Sequence, residues 1–308
     1  MHPALSIIVF TTSSGLGYGL AFFLGVGLLD PAALATKAAH VIALGLISVG
    51  LSASTLHLGN PQRAWRALSQ WRSSWLSREG VLAIATFVPL CLSAWVTLFE
   101  SRHSWPAGLA GSLGCAATVY CTAMIYASLR SVEAWHTPLT PAAFLAFAAA
   151  GGAVLATFFA ALGGGDAGPL AALALGLLVV AWGTKLAWRR RLGALSSAST
   201  PETATGLGAL GQVRLLERPH GNENYLTREM GFRIARKHAR KLAAIAFGLG
   251  GGVPIVLLAS AALFAAEGGI GWPAFAFLAL WAYAAGLLVE RWLFFAEARH
   301  SVMNYYGG

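Results

Sequence analysis

Residues 80–99 read GVLAIATFVPLCLSAWVTLF, twenty positions without a charged side chain. About twenty apolar residues is the length an α-helix needs to cross the hydrocarbon core of a bilayer. Immediately before them stands a segment of opposite character, 57–79, HLGNPQRAWRALSQWRSSWLSRE. It holds four arginines, three tryptophans, a histidine and a glutamate. On its other side, 39–56 is apolar again. The pattern is two membrane spans joined by a polar, aromatic insert.

The same alternation runs through the chain. Of 308 residues, 57% are apolar and 11% charged, with a mean hydropathy of +0.65. Soluble domains carry about 25% charged residues. Eight apolar stretches stand out, at 5–29, 39–56, 80–99, 107–129, 141–162, 169–188, 242–266 and 273–295. Gly, Ala and Leu dominate them, and small residues let membrane helices approach closely. A β-barrel would show segments of about ten residues with alternating polarity, and none occur. The expected fold is all-α: one polytopic membrane domain over 1–308, with eight transmembrane helices packed as two four-helix bundles. The first stretch has no basic start and no clear cleavage site, so it reads as a retained helix. No internal repeat of the kind that marks many transporters is visible.

Charge sorts by side. An even number of spans puts both termini on one face, and nineteen of the twenty-one lysines and arginines fall there. Only Lys37 and Arg102 lie opposite. The positive-inside rule makes the rich face cytoplasmic. The formal charge of +9 is therefore concentrated on one side. No nucleic-acid motif accompanies it, and anionic lipid headgroups or a docked cytoplasmic protein explain it better.

At about 100° per residue, Trp65, Leu68, Trp71 and Trp75 share one helical face, which predicts a helix lying along the membrane interface. An aromatic belt with snorkelling arginines accounts for the tryptophans without any ligand. His57 and Glu79 are different, because ionisable groups at span ends facing a bundle are costly unless paired or used. On the same side, Tyr126 and Arg130 end the fourth span, Glu290 and Arg291 end the eighth, and His2 and Ser6 begin the first. A polar-headed, apolar-tailed molecule such as a quinone fits that setting. Its carbonyls accept hydrogen bonds from His, Tyr or Arg, and its reduction consumes protons that His or Glu can relay. The candidate quinone contacts are His57, Arg63, Trp65, Arg78, Glu79, Tyr126 and Arg291. A secondary transporter is the alternative from another class, disfavoured by the lack of charges in the middle of the spans. Cys91, Cys115 and Cys121 lie inside spans without CxxC spacing, and no histidine falls mid-span, so neither a metal cluster nor haem is expected in this chain.

The motifs HPALS…TTSSGLGYGL, HLGNPQRAW…SWLSRE and ERWLFF together resemble the membrane anchor subunit of dimethyl sulfoxide reductase and its relatives, over essentially all eight spans. That resemblance implies a three-part molybdoenzyme. Molybdopterin belongs to its catalytic subunit, iron–sulfur clusters to a ferredoxin-like subunit, and the anchor binds quinone (ubiquinone or menaquinone). It implies a quinone role for His57 in the HLG motif and for Glu79 in LS-x-E, with Tyr126 matching a tyrosine near the end of span four. The segment 224–242, NYLTREMGFRIARKHARKL, is similar to the anchors of cytoplasm-facing, membrane-bound sulfite dehydrogenases. Anchors of dimethyl sulfoxide, thiosulfate or polysulfide reductases remain alternatives.

Within the basic loop 189–241, Leu226, Met230 and Ile234 recur every four residues, beside Arg233, Lys237, Arg240 and Lys241. This predicts a basic helix that binds anionic lipid, docks the iron–sulfur subunit, or does both. Arg66 and Arg72 join Arg233, Lys237 and Arg240 as docking candidates. The stretch SSASTPETATGLG, 196–208, reads as a linker. The expected location is the bacterial inner membrane with both termini cytoplasmic.

Overall fold

The structure, a computed structural model, describes residues 3–55, 60–195, 200–214, 216–217, 222, 230, 234–265 and 270–306. Among the described residues, eight helices are long and apolar enough to cross a membrane. They are α1 (Leu5–Gly25), α2 (Leu34–Thr55), α3 (Trp75–Glu100), α4 (Trp105–Ala127), α5 (Leu139–Leu162), α6 (Gly168–Ala194), α7 and α8 (Gly271–Ala296). The seventh, α7, starts as Ile234–Phe247, passes through a π-helical stretch at Gly248–Gly252 and continues as Val253–Phe264. No strand occurs among the described residues.

The helices form two four-membered rings. In the first, α1 packs on α2 and α4, and α3 closes the ring against both; in the second, α5 packs on α6 and α8, and α7 closes it. The rings meet where α1 lies along α5. These two helices form the centre of the molecule: 72% and 67% of their apolar stretches are buried, against at most 50% elsewhere. Glycine permits that contact. A Cβ at Gly19 would stand 1.9 Å from the Ala148 carbonyl oxygen, and one at Gly152 would stand 2.2 Å from the Gly19 carbonyl carbon. Within the bilayer, where apolar burial between helices drives little, such close backbone approach supplies the packing energy.

A second glycine contact joins α7 to α8, where a Cβ at Gly286 would lie 2.2 Å from Gly250. Gly250 sits in the π-helical stretch, whose wider turn frees carbonyls from the regular ladder. The Trp182 indole of α6 donates to the Gly250 carbonyl at 2.9 Å.

Two expectations change. The insert forms no amphipathic α-helix; Pro61–Gln70 is a 3-10 helix. With three residues per turn, positions three apart eclipse, so Trp65, Leu68 and Trp71 align while Trp75 does not. Trp75 instead begins α3, its ring edge-on to Tyr120 at 6.0 Å. In addition, α6 runs to Ala194, so Arg189, Arg190 and Arg191 belong to a helix end and not to a loop. At the other boundary, Arg240 and Lys241 lie within α7.

Candidate functional site

The first turn of α3 decides where Glu79 goes. Ser74 caps the helix, its hydroxyl accepting from the Ser77 amide at 3.4 Å. Arg78 turns back to donate to the carbonyls of Trp71 (2.9 Å) and Arg72 (2.7 Å), its guanidinium 4.3 Å above the Trp75 ring. With Arg78 so engaged, the next side chain points inward. Glu79 is buried and touches the Thr122 hydroxyl of α4. Thr122 also contacts the Thr118 carbonyl at 3.1 Å. One hydroxyl proton faces two acceptors, so this contact accommodates a protonated Glu79 as readily as an ionised one. No cation among the described residues pairs with Glu79.

In the neighbouring ring, three charges are buried together. Lys185 of α6 reaches one carboxyl oxygen of Glu290 at 2.6 Å, and Arg291 Nε reaches the other at 2.5 Å. The three side chains are 3%, 1% and 3% exposed. Aromatic faces complete their shell, with Lys185 Nζ 3.8 Å from the centre of Trp188 and the Arg291 guanidinium 4.2 Å from that of Phe144. Such contacts offset part of the cost of desolvating the cations. Two cations share one anion, so the cluster carries a surplus positive charge inside the protein.

Tyr126 stands between these groups. Its ring contacts Trp135, Phe144, Phe294 and Phe295 at centroid distances of 5.3–5.7 Å. Trp135 donates to the Phe294 carbonyl at 2.9 Å, which pins the α4–α5 connection to the end of α8. The α6 terminus joins the same end through Arg189–Glu297 (2.6 Å) and Arg191 to the Glu133 carbonyl (3.0 Å).

Two cavities adjoin this core. A small one of about 20 Å³ is bordered by Thr11 and Ser14 of α1, Thr122 of α4, Phe144 and Phe147 of α5, and Arg291 of α8. It has room for about one water molecule. The second, of about 170 Å³, lies between α1, α4 and α5 and is almost wholly apolar. Val119 and Ala148 border both.

Of the residues singled out from sequence, Glu79, Tyr126 and Arg291 converge here. Arg63, Trp65, Arg66 and Arg72 lie exposed on the 3-10 insert, and Arg78 is occupied with the turn, so none of the five borders either cavity. His57, His2 and Arg233 lie outside the described residues, as does the side chain of Lys237; Arg240 is exposed. Lys185, Thr122 and Tyr18 were not anticipated. Lys185 had a visible signal, an ionisable residue inside an apolar stretch, which marks a functional position by default. Threonine and tyrosine in a span give no comparable signal.

These features define a class: an all-helical, eight-span membrane subunit whose buried charges gather at one end, with no group of three metal-ligating side chains among the described residues. The chain belongs to the DMSO reductase anchor subunit (DmsC) family, whose model matches residues 1–205. It is 34% identical over 331 aligned positions, 99% of each chain, to the C subunit of sulfite dehydrogenase from Allochromatium vinosum. No solved structure matches it.

Proposed function

We propose that this anchor subunit is the quinone-reactive member of a three-part molybdoenzyme that oxidises sulfite at the cytoplasmic face of the bacterial inner membrane. The observation that carries this reading is that Thr122, in contact with Glu79, and Arg291, paired with Glu290 beside Lys185, border one cavity where the two helix rings meet. The molybdopterin and iron–sulfur partners would dock on the positively charged face, with exposed Arg66 and Arg72 among the contacts and Arg233, Lys237 and Arg240 alongside. Sulfite as the substrate class follows the name of the Allochromatium relative.

When bound, the quinone supplies two-electron, two-proton chemistry. The chain's part is to hold, orient and protonate. Glu290 fixes the Arg291 guanidinium, and the surplus charge beside the cavity favours an electron-rich oxygen there. A protonated Glu79 would pass its proton to the Thr122 hydroxyl oxygen as the Thr122 hydroxyl releases its own proton into the cavity it borders, so the threonine stays neutral. His57, the first residue of the insert, would donate a further hydrogen bond.

Glu79→Gln tests this in the assembled complex. Glutamine keeps an oxygen for the Thr122 contact, so assembly should persist. Quinone-linked turnover should fall by about a hundredfold, as expected for a lost proton relay. Activity with an artificial acceptor that takes electrons directly from the iron–sulfur subunit should be unchanged. Unaltered quinone-linked turnover in Glu79→Gln would remove Glu79 from the mechanism.

A further inference from the structure

Arg291 carries more donors than its protein neighbours take up. A guanidinium has five N–H groups. Nε donates to Glu290, and neither terminal nitrogen has a hydrogen-bond partner among the described residues. Phe144 and Phe147, their ring centres 4.2 and 5.2 Å from the guanidinium, attract its charge but offer no oxygen. Buried donors without acceptors are costly, more so with lipid outside instead of water. Although the side chain is 3% exposed, neither terminal nitrogen is sealed off. The surface they keep opens on the 20 Å³ cavity that Arg291 borders.

Gly15 of α1 borders the same cavity, and a side-chain carbon built there would meet no atom within 4 Å. The cavity is thus space that a side chain at position 15 would fill. One water needs about 10–15 Å³, whereas a cavity that takes a benzene ring measures about 150 Å³, so this one admits a water and not a quinone ring. The bonding inventory suits a water. Thr11 and Ser14 give their own protons to the carbonyls of Ile7 (2.9 Å) and Phe10 (2.6 Å), so toward the cavity they can only accept. Arg291 can only donate, and Thr122 brings the hydroxyl that touches Glu79. A water has two lone pairs for Arg291 and Thr122, one proton for Thr11 or Ser14, and one proton left over.

We propose that this cavity holds one water that carries the proton from the Glu79–Thr122 pair to the quinone oxygen, and that Gly15 reserves its place. Thr122 takes the Glu79 proton on its oxygen and gives its own to the water. The water gives one of its hydrogens to the reduced quinone oxygen and ends neutral, while Glu79 is left as a carboxylate until it is reprotonated. Electrons arrive separately, from the iron–sulfur subunit. The transfers must be concerted, because a hydronium ion beside the Arg291 guanidinium would be repelled. Arg291 is then a positioning residue: it turns the water oxygen toward itself and the hydrogens away. The inference rests on the quinone-reactive reading above and adds that the charged cluster acts through a bound water, without touching the ring.

The test uses the full membrane complex, a short-tailed benzoquinone as acceptor, and two substitutions at one position. Gly15→Ala puts a methyl group where the water lies and meets no neighbouring atom, so the melting temperature should hold. Quinone-linked kcat should fall about a hundredfold, as for a lost proton relay, with the KM for quinone and the artificial-acceptor activity unchanged. Gly15→Ser supplies a hydroxyl in the same place and should bring kcat back to within about tenfold of wild type. Independently of any variant, infrared difference spectra of the wild-type complex between oxidised and reduced quinone should contain a water O–H band that shifts in heavy-oxygen water. Gly15→Ala should lack that band. The water is overturned by a wild-type kcat in Gly15→Ala, by equal losses in the alanine and serine variants, or by absence of the band from the wild type. A raised KM in Gly15→Ala overturns it too, since the quinone itself would then occupy the cavity. Absence of quinone-linked turnover in the wild-type complex would instead overturn the proposed function, so the two failures are distinct.

Discussion

Glu290 is the residue on which the buried charges depend. It is the common partner of Lys185 and Arg291, and removing its charge leaves two cations in the interior without an anion. Breaking a buried pair from one side typically costs about 3–5 kcal/mol. Glu290→Gln should therefore reduce the amount of chain recovered from membranes and lower its melting temperature in mild detergent. Lys185→Met is the informative contrast. It leaves a neutral Glu290–Arg291 pair and fills the space with an unbranched apolar side chain, so the complex should assemble at the wild-type level. Because the surplus positive charge goes with the lysine, quinone-linked turnover should drop while artificial-acceptor activity stays. Equal loss of both activities would make the cluster purely structural. At this scale the sequence revealed charges and concealed hydroxyls. Glu79 and Arg291 stand out against apolar neighbours, whereas Thr122 and Tyr18 become significant only when a second helix shows what they face. Lys185 was legible as an ionisable residue near the end of the sixth apolar stretch, but its partner Glu290 lies on another helix.

Among the elements, α1 and α5 impose the tightest geometric condition. The Ala148 carbonyl that a Gly19 side chain would meet is backbone, and it cannot turn aside as the end of a flexible chain would. Gly19→Val should prevent the two rings from seating and abolish stable assembly. Gly176→Ala, on α6 with no atom within 4 Å of the added carbon, should be neutral by the same melting assay. All eight spans were legible, with ends displaced by up to eight residues where α6 and α7 run on past their apolar stretches, since length and hydropathy locate a transmembrane helix almost by themselves. The insert was harder. Trp65, Leu68, Trp71 and Trp75, at intervals of three and four, suit an α-helix on paper, but outside the bilayer core the polar backbone has water to satisfy it, and apolar period alone no longer dictates the helix type. The π-helical stretch of α7 was not legible either, because a run of glycines is compatible with many backbones and the Trp182 indole that holds it comes from another helix.

For the molecule as a whole, charge sets the orientation. Its asymmetry predicts that a reporter enzyme active only after export, fused after residue 308, stays inactive, and that one fused in the short connection at 101–104 is active. The reverse result would place the docking face outside and favour a reductase of the dimethyl sulfoxide type. The two-ring arrangement was foreseeable as helix count and small-residue content, but not the seam. That α1 should lie along α5 depends on glycines at 19 and 152 meeting across more than a hundred residues of chain, and nothing local in either segment announces the other.

The central position of α1 also bears on how the protein is made. This helix leaves the ribosome before α4, α5 and α8, yet those three cover much of its surface. Until they arrive, its hydroxyls face lipid or the insertion machinery. Thr11 and Ser14 already bond to carbonyls of their own helix, Ile7 at 2.9 Å and Phe10 at 2.6 Å, so α1 can wait in the bilayer with those groups satisfied. Its glycine face cannot be completed until α5 is inserted. A nascent chain stopped after residue 130 should accordingly cross the membrane normally and still be an early target for membrane proteases, while one extended past residue 165 should become resistant.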